Sequence, residues 1–261
     1  MESCRVQPRE GRALRNTILI TGASSGLGEG MARLFAAKGH DLALCARRTD
    51  KLAAVRDELA TAHPGIRVLV KSLDVNDHDA VFRVFGEFCD ELGRLDRVIV
   101  NAGLGKGASI GTGDFRANKQ TALTNFVGAL AQCEAAMEIF RRVNAGHLVV
   151  ISSVSARRGA RGAMTTYAAT KAGVASLAEG IRSDVIATPI TVTTLFPGFI
   201  SSEMTARAGT TPFMVDTQTG CRAMVNAIEK EIAEATVPPW PWRPVGLAMR
   251  LLPLKVARRL M

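Results

Sequence analysis

Tyrosine is nearly missing from this chain: Tyr167 is the one such residue among 261, and aromatic residues of all kinds make up 5%. So thin an aromatic content, with no nucleic-acid motif beside it, argues against nucleic acid as a partner although the net charge is +9. The cysteines Cys4, Cys45, Cys89, Cys133 and Cys221 are scattered, with no C-x-x-C pair and no metal-ligand cluster. They read as free, mostly buried thiols in a reducing cytoplasm. No apolar run approaches the ~20 residues that a bilayer crossing needs. Nothing reads as a secretory signal either, because Glu2 and Glu10 interrupt Arg5, Arg9, Arg12 and Arg15 and no apolar stretch follows before the first strand. Acids are also missing from the C-terminal end. None follows Glu234, whereas Arg243, Arg250, Lys255, Arg258 and Arg259 do.

What is present is alternation. Short apolar, β-branched runs at Thr17–Thr21, Asp41–Ala46, Ile66–Ser72, Arg97–Asn101, His147–Ser152 and Ile190–Phe196 predict buried parallel strands. Between them, helices are predicted over Gly26–Lys38, Asp50–Thr61, Asp77–Leu92, Phe115–Val143 and Thr165–Thr188, with Gly39, Gly93 and Gly146 as stop signals after three of them. Repeated βα units of this kind predict an α/β fold, a doubly wound parallel sheet of Rossmann type. No repeat or low-complexity linker divides it, so one domain is expected over 17–237, with a basic extension at 1–16 and a basic apolar tail at 238–261.

The first strand runs into a glycine turn, T-G-A-S-S-G-L-G from Thr21 to Gly28, and then a helix. Glycines there let the backbone turn tightly and approach a pyrophosphate, which rests at the positive end of the helix. The spacing of Gly22, Gly26 and Gly28 differs from the standard G-x-G-x-x-G. Far downstream, Tyr167 and Lys171 stand four apart, on one face of a helix. A phenol titrates near pH ~10, and a neighbouring ammonium favours its ionised form, which makes a usable general acid or base.

The T-G-x-x-x-G-x-G turn followed by Y-x-x-x-K resembles the classical short-chain dehydrogenase/reductase family, from Thr17 to about Val237. The resemblance implies a nicotinamide cofactor held at Gly22, Ser24, Ser25, Gly26, Leu27 and Gly28, with Tyr167 and Lys171 reaching it as well. Asp74, followed by Val75, resembles the family's adenine-contacting residue. Asn101-Ala102-Gly103 resembles its N-A-G after the fourth strand, and Pro197-Gly198, with Ile200 beyond, its P-G beside the nicotinamide. Asn125 and Ser153 resemble the catalytic asparagine and serine, with Ser152 and Ser155 as rivals because the Ser153–Tyr167 spacing is one longer than the family's. By this resemblance Tyr167 donates a proton to the carbonyl oxygen and Ser153 hydrogen-bonds that oxygen. Lys171 depresses the tyrosine pKa and binds the nicotinamide ribose, and Asn125 holds a water linking Lys171 to solvent. Ser202 stands where the family commonly has a threonine near the carboxamide. A homodimer or homotetramer is implied too.

Cofactor choice rests on residue type. An enzyme preferring NAD usually carries an acid about 20 residues past the glycine turn. Here the second strand ends in Cys45-Ala46-Arg47-Arg48, with no acid. Arginine forks suit a 2′-phosphate, so NADP(H) is expected ahead of NAD(H), Arg47 being the first candidate and Arg48 the second. A lid is expected over 201–219, made apolar by Phe199, Met204, Phe213 and Met214 and interrupted by Gly209 and Pro212. It reads either as a pocket for an apolar, lipid-like or acyl ketone or aldehyde, reduced to an alcohol, or as ordinary core packing of two short helices. The tail carries two tryptophans, then Lys255, Arg258 and Arg259 opposite Leu254, Ala257 and Met261. It either packs over the pocket or at a subunit interface, or rests on an anionic membrane. Arg157, Arg158 and Arg161 read as a solvated loop or as steering groups for an acidic substrate. A non-catalytic NADP-binding regulator or a membrane-peripheral interaction protein is the alternative to an enzyme.

Overall fold

Residues that alternate faces along a strand must find two apolar partners, and these strands do. In the first strand, β1 (Thr17–Thr21), every residue is buried, with Leu19 pointing into one core and Ile18 and Ile20 into another. The computed structural model, which describes residues 16–203, 205 and 213–257, shows why. β1, β2 (Asp41–Ala46), β3 (Val68–Ser72), β4 (Arg97–Val100), β5 (Gly146–Ile151), β6 (Ile190–Pro197) and β7 (Glu234–Val237) form one sheet in the order β3-β2-β1-β4-β5-β6-β7. Every pairing is parallel. Helices α1 (Gly26–Ala36) and α2 (Thr49–Ala62) cover one face together with α7 (Thr217–Glu229). Helices α3 (His78–Leu92), α5 (Gly128–Val143) and α6 (Met164–Asp184) cover the other. This is the doubly wound α/β architecture the alternation predicts.

Helix ends follow local chemistry. Asp77 caps α3 by accepting from Ala80 N, and Gly93 closes it at φ 80°. The expected stop at Gly146 is corrected: Asn144, at φ 47°, caps α5. Gly146 instead begins β5, where a Cβ would stand 2.2 Å from the Phe140 ring. The helix expected over Phe115–Val143 is three pieces, α4 (Phe115–Ala122), a π turn over Leu123–Val127, and α5. β7 and α7 are additions to the expected elements. So is α8 (Pro239–Leu251), followed by the short α9 (Leu254–Ala257).

The strand order reverses between β1 and β4, and such a reversal opens a crevice at the C-terminal strand ends. The motif residues collect there. Among the described residues no helix is long and apolar enough to cross a membrane. The extension 1–15, Cys4, Met204, Gly209, Pro212, Arg258, Arg259 and Met261 lie outside the described residues.

Candidate active site

The glycine turn is fixed by the neighbouring strand. Thr21 Oγ1 accepts from the backbone N–H groups of Asn101 and Ala102, each at 3.0 Å. The Asn101 side chain returns the tie, its Nδ2 donating to Thr21 O at 2.8 Å. Gly22 and Gly26 adopt φ 65° and 59°, a backbone region that side chains strain. A Cβ on Gly28 would stand 2.4 Å from Gly22 O, so helix and turn meet only because it is absent. Ser202 faces this turn: its Cβ lies 3.4 Å from where a Cβ on Gly26 would sit, and its hydroxyl pairs with Thr205 Oγ1 at 3.2 Å. The cradle is therefore open backbone at a helix start, the arrangement a dinucleotide pyrophosphate requires. Leu27, in the first turn of α1, packs against the core on that side of the sheet.

The two arginines part company. Arg48 donates from Nε to Ser24 Oγ at 3.3 Å and from Nη2 to Ser25 Oγ, so it grips the turn itself. Arg47 instead lies 3.9 Å from Asp74, both side chains being about half exposed. Asp74 orders the end of β3 by accepting from Asn76 N at 3.0 Å, and the buried Val75 sets its carbonyl against Gly128, where a Cβ would come within 2.9 Å.

The π turn brings Asn125 inward. Its Oδ1 accepts from Leu104 N at 2.6 Å, and its Nδ2 donates to Leu104 O at 2.8 Å and to Thr170 Oγ1 at 3.3 Å. Gly103 lies between this amide and Lys171: a Cβ there would be 3.3 Å from Asn125 Oδ1 and 3.6 Å from Lys171 Nζ. A single-turn π bulge re-aims a side chain in this way and is frequent at functional sites.

Tyr167, Lys171 and Ser153 converge at the head of β5. Lys171 Nζ donates to Ile151 O at 2.8 Å and stands 5.8 Å from the Tyr167 ring centroid. Ser153 lies close enough to the Tyr167 hydroxyl to favour its ionised form. Of the rival serines, Ser152 Oγ is turned away to donate to the Lys171 carbonyl at 2.7 Å, and Ser155 uses its backbone N–H on Ser153 Oγ at 3.2 Å. Burial governs both titrations. It pushes the Tyr167 phenol up, against the lowering effect of Ser153, and it pulls Lys171 down to about 8. The net direction for the phenol is upward, opposite to the expectation, because desolvation exceeds the lowering effect of Ser153.

On the far wall the residue not singled out in the sequence is Trp242. Gly198 N donates to Val237 O at 3.0 Å, and a Cβ on Gly198 would collide at 2.2 Å with the indole of Trp242, which is 4% exposed. Trp242 meets Phe199 edge-on at 5.1 Å and Phe213 at 6.3 Å. Ile200 is buried and bridges to Val215. Of the alternatives for the tail, the described part of α8 packs on the protein through Trp242 and Met249. Two of the three loop arginines are structural rather than solvated, whereas Arg161 is exposed. Arg157 stacks 3.6 Å over the Phe196 ring centroid, and Arg158 donates to the carbonyls of Met249 at 3.1 Å and Arg250 at 3.2 Å.

Known proteins resemble this chain in sequence and fold. A model of the short chain dehydrogenase family matches residues 16–212. An uncharacterized oxidoreductase of Mycobacterium tuberculosis is 55% identical over 245 residues, 94% of this chain and 97% of that protein. The 11-beta-hydroxysteroid dehydrogenase 1A of Arabidopsis thaliana is 32% identical, over 85% of this chain and 68% of that one. Among solved structures, the alcohol dehydrogenase of Thermococcus sibiricus, complexed with 5-hydroxy-NADP, aligns with a TM-score of 0.76 at 25% identity, over 85% of this chain and 95% of that chain.

Proposed function

The chain belongs to the short-chain dehydrogenase family, and from that premise we propose that it is an NADPH-dependent reductase of an apolar ketone or aldehyde. The observation that carries the reading is the meeting of Tyr167, Ser153 and Lys171 beside the open glycine cradle. NADPH, once bound, supplies the hydride for the carbonyl carbon.

The chain's own residues do the rest. A carbonyl receiving hydride gathers negative charge on oxygen, which must be held and protonated. Tyr167 Oη, kept protonated by burial, gives its proton to that oxygen, and Ser153 Oγ hydrogen-bonds the same oxygen. Lys171, pulled down to about 8, exchanges protons near neutral pH and resupplies the phenol. Asn125 holds Leu104, and so the loop that carries Gly103, against α6 where the ammonium enters. Arg48 with Ser24 and Ser25, and Arg47 beside Asp74, favour a 2′-phosphate on the ribose. The aromatic cluster of Phe199, Trp242 and Phe213 favours an apolar substrate.

The test follows NADPH absorbance with ketones and aldehydes of graded chain length. Turnover should rise with apolar length. Tyr167→Phe should lose about 10²–10⁴-fold in rate while NADPH still binds. Binding of NADPH without turnover of any carbonyl would favour the non-catalytic regulator instead.

A self-associating face accompanies this reading. Along α4, the π turn and α6 runs a groove of about 730 Å³ lined by Phe115, Leu123 and Phe126, all exposed. An apolar face of this kind suits a second copy of the chain in an isologous pair. Phe126→Asp should shift the mass by light scattering to that of the monomer.

A further inference from the structure

A three-membered charge cluster lies at the mouth of the glycine turn, and of its members only Arg48 enters the proposed function. Glu203, in the segment after β6 where the lid begins, accepts from Arg48 Nη1 at 2.8 Å through one oxygen and from Lys51 Nζ at 2.7 Å through the other. Arg48 at the same time holds Ser24 and Ser25. One guanidinium thus joins the glycine turn to the lid. All three charged side chains are about half exposed, where ion pairs contribute only ~0–1 kcal/mol. Stability does not account for the arrangement.

Charge and placement do. The nearby Arg33 is already matched by two acids, Glu29 at 2.5 Å and Glu58 at 2.6 Å. Arg48 and Lys51 share a single carboxylate, so their seat keeps an excess of positive charge. Their donors converge on two oxygens of one anion, which is equally the demand of a phosphate monoester. The seat lies past the end of β2 and against the glycine turn, where a doubly wound sheet receives the ribose of a dinucleotide. Lys51 and Arg48 hold the Glu203 carboxyl down to about 2, so it stays anionic at any working pH.

We propose that Glu203 is a resident anion in the seat of the cofactor's 2′-phosphate, competing with it for Arg48 and Lys51 and thereby setting how strongly the chain discriminates between NADPH and NADH. Two anions cannot share the same donors without repulsion, so a 2′-phosphate displaces Glu203 from Arg48 and Lys51. A ribose bearing a 2′-hydroxyl leaves the bridge in place and can donate to its carboxylate. Lys51 becomes a cofactor-binding residue on the same argument. The inference rests on the NADPH reading for its ligand.

Isothermal titration of the full chain with 2′,5′-ADP and with 5′-AMP tests it, because the probes differ only in the 2′-phosphate. Removing the competitor in Glu203→Gln should tighten 2′,5′-ADP by about 5- to 10-fold, the range of a modest coupling between sites, and leave 5′-AMP no tighter, or weaker by the lost bond from its 2′-hydroxyl. Lys51→Met should weaken 2′,5′-ADP and cancel much of that gain in the double variant. If the wild type prefers 2′,5′-ADP and Glu203→Gln leaves it unchanged or weakens it, the resident-anion role is overturned and the NADPH reading survives. If the wild type does not discriminate but Glu203→Gln does, the NADPH reading falls and the resident anion stands. Equal binding of both probes to both proteins overturns both. Melting curves check that each variant is folded.

Discussion

The ammonium of Lys171 lies 5.8 Å from the centre of the Tyr167 ring and is anchored to the carbonyl of Ile151. Burial moves the two groups in opposite directions, Lys171 down to about 8 and Tyr167 up. For Lys171 the folded pKa lies below the unfolded value of ~10.4. Between them the unfolded chain binds the proton and the folded one does not, so stability rises with pH. Unfolding in denaturant should show this gain between about pH 8 and 10.4, worth about 3 kcal/mol at most. Above the ordinary phenol value near ~10 the raised Tyr167 works the other way, and stability should fall. Lys171→Met should flatten the rise. A rise that survives in the variant would assign it elsewhere.

Two glycines make a matched pair. A Cβ at Gly28 meets backbone at 2.4 Å, whereas Gly86, inside α3, has no atom within 4 Å of a Cβ. Gly28→Ala should cost about 1–3 kcal/mol by overpacking and abolish retention on a nucleotide affinity column. Gly86→Ala should stabilise by about 0.5–1 kcal/mol, the helix preference for alanine, and leave retention intact. Thermal melts and column profiles read both.

The two tryptophans differ in surroundings, Trp242 being 4% exposed and Trp240 78%. Trp242→Phe should remove the blue-shifted part of the intrinsic fluorescence and leave the spectrum of a solvated indole. Trp242→Ala should destabilise by about 3–5 kcal/mol, because Phe199 and Phe213 lose their common partner.

Cys45, Cys89, Cys133 and Cys221 are buried, and burial pushes Cys133 and Cys221 to about 12. In a Cys4→Ser chain, a thiol reagent at pH 8 should label nothing until denaturant is added, because thiolate is the reactive form.

Much of this was readable in the residues, for identifiable reasons. β1 and β2 fall at the expected bounds because a fully buried parallel strand must be an unbroken apolar run. β7 escaped because it is a short edge strand, with Glu234 exposed and Val237 alone buried. The π turn escaped because Phe115–Val143 keeps one helical period in sequence, and a local widening leaves no mark on it. At the site, the placing of Tyr167 and Lys171 on one helix face was legible from their spacing, whereas spacing left Ser153 beside its rivals Ser152 and Ser155. Glu203 was not, since it reaches Arg48 across 155 positions and nothing near it in sequence signals that partner. The pKa directions were misjudged for Tyr167 because charge proximity shows in sequence and desolvation does not.

The indole against Gly198 comes from a stretch beyond residue 212, where the family model stops, whereas the proton-handling side chains precede it. On the proposed reading, Ser153, Tyr167 and Lys171 all lie before that bound, whereas two of the three aromatic residues of the substrate wall, Phe213 and Trp242, lie after it. Grafting the C-terminal stretch of a relative onto this chain should transplant its appetite for one carbonyl over another while leaving the hydride apparatus as it stands.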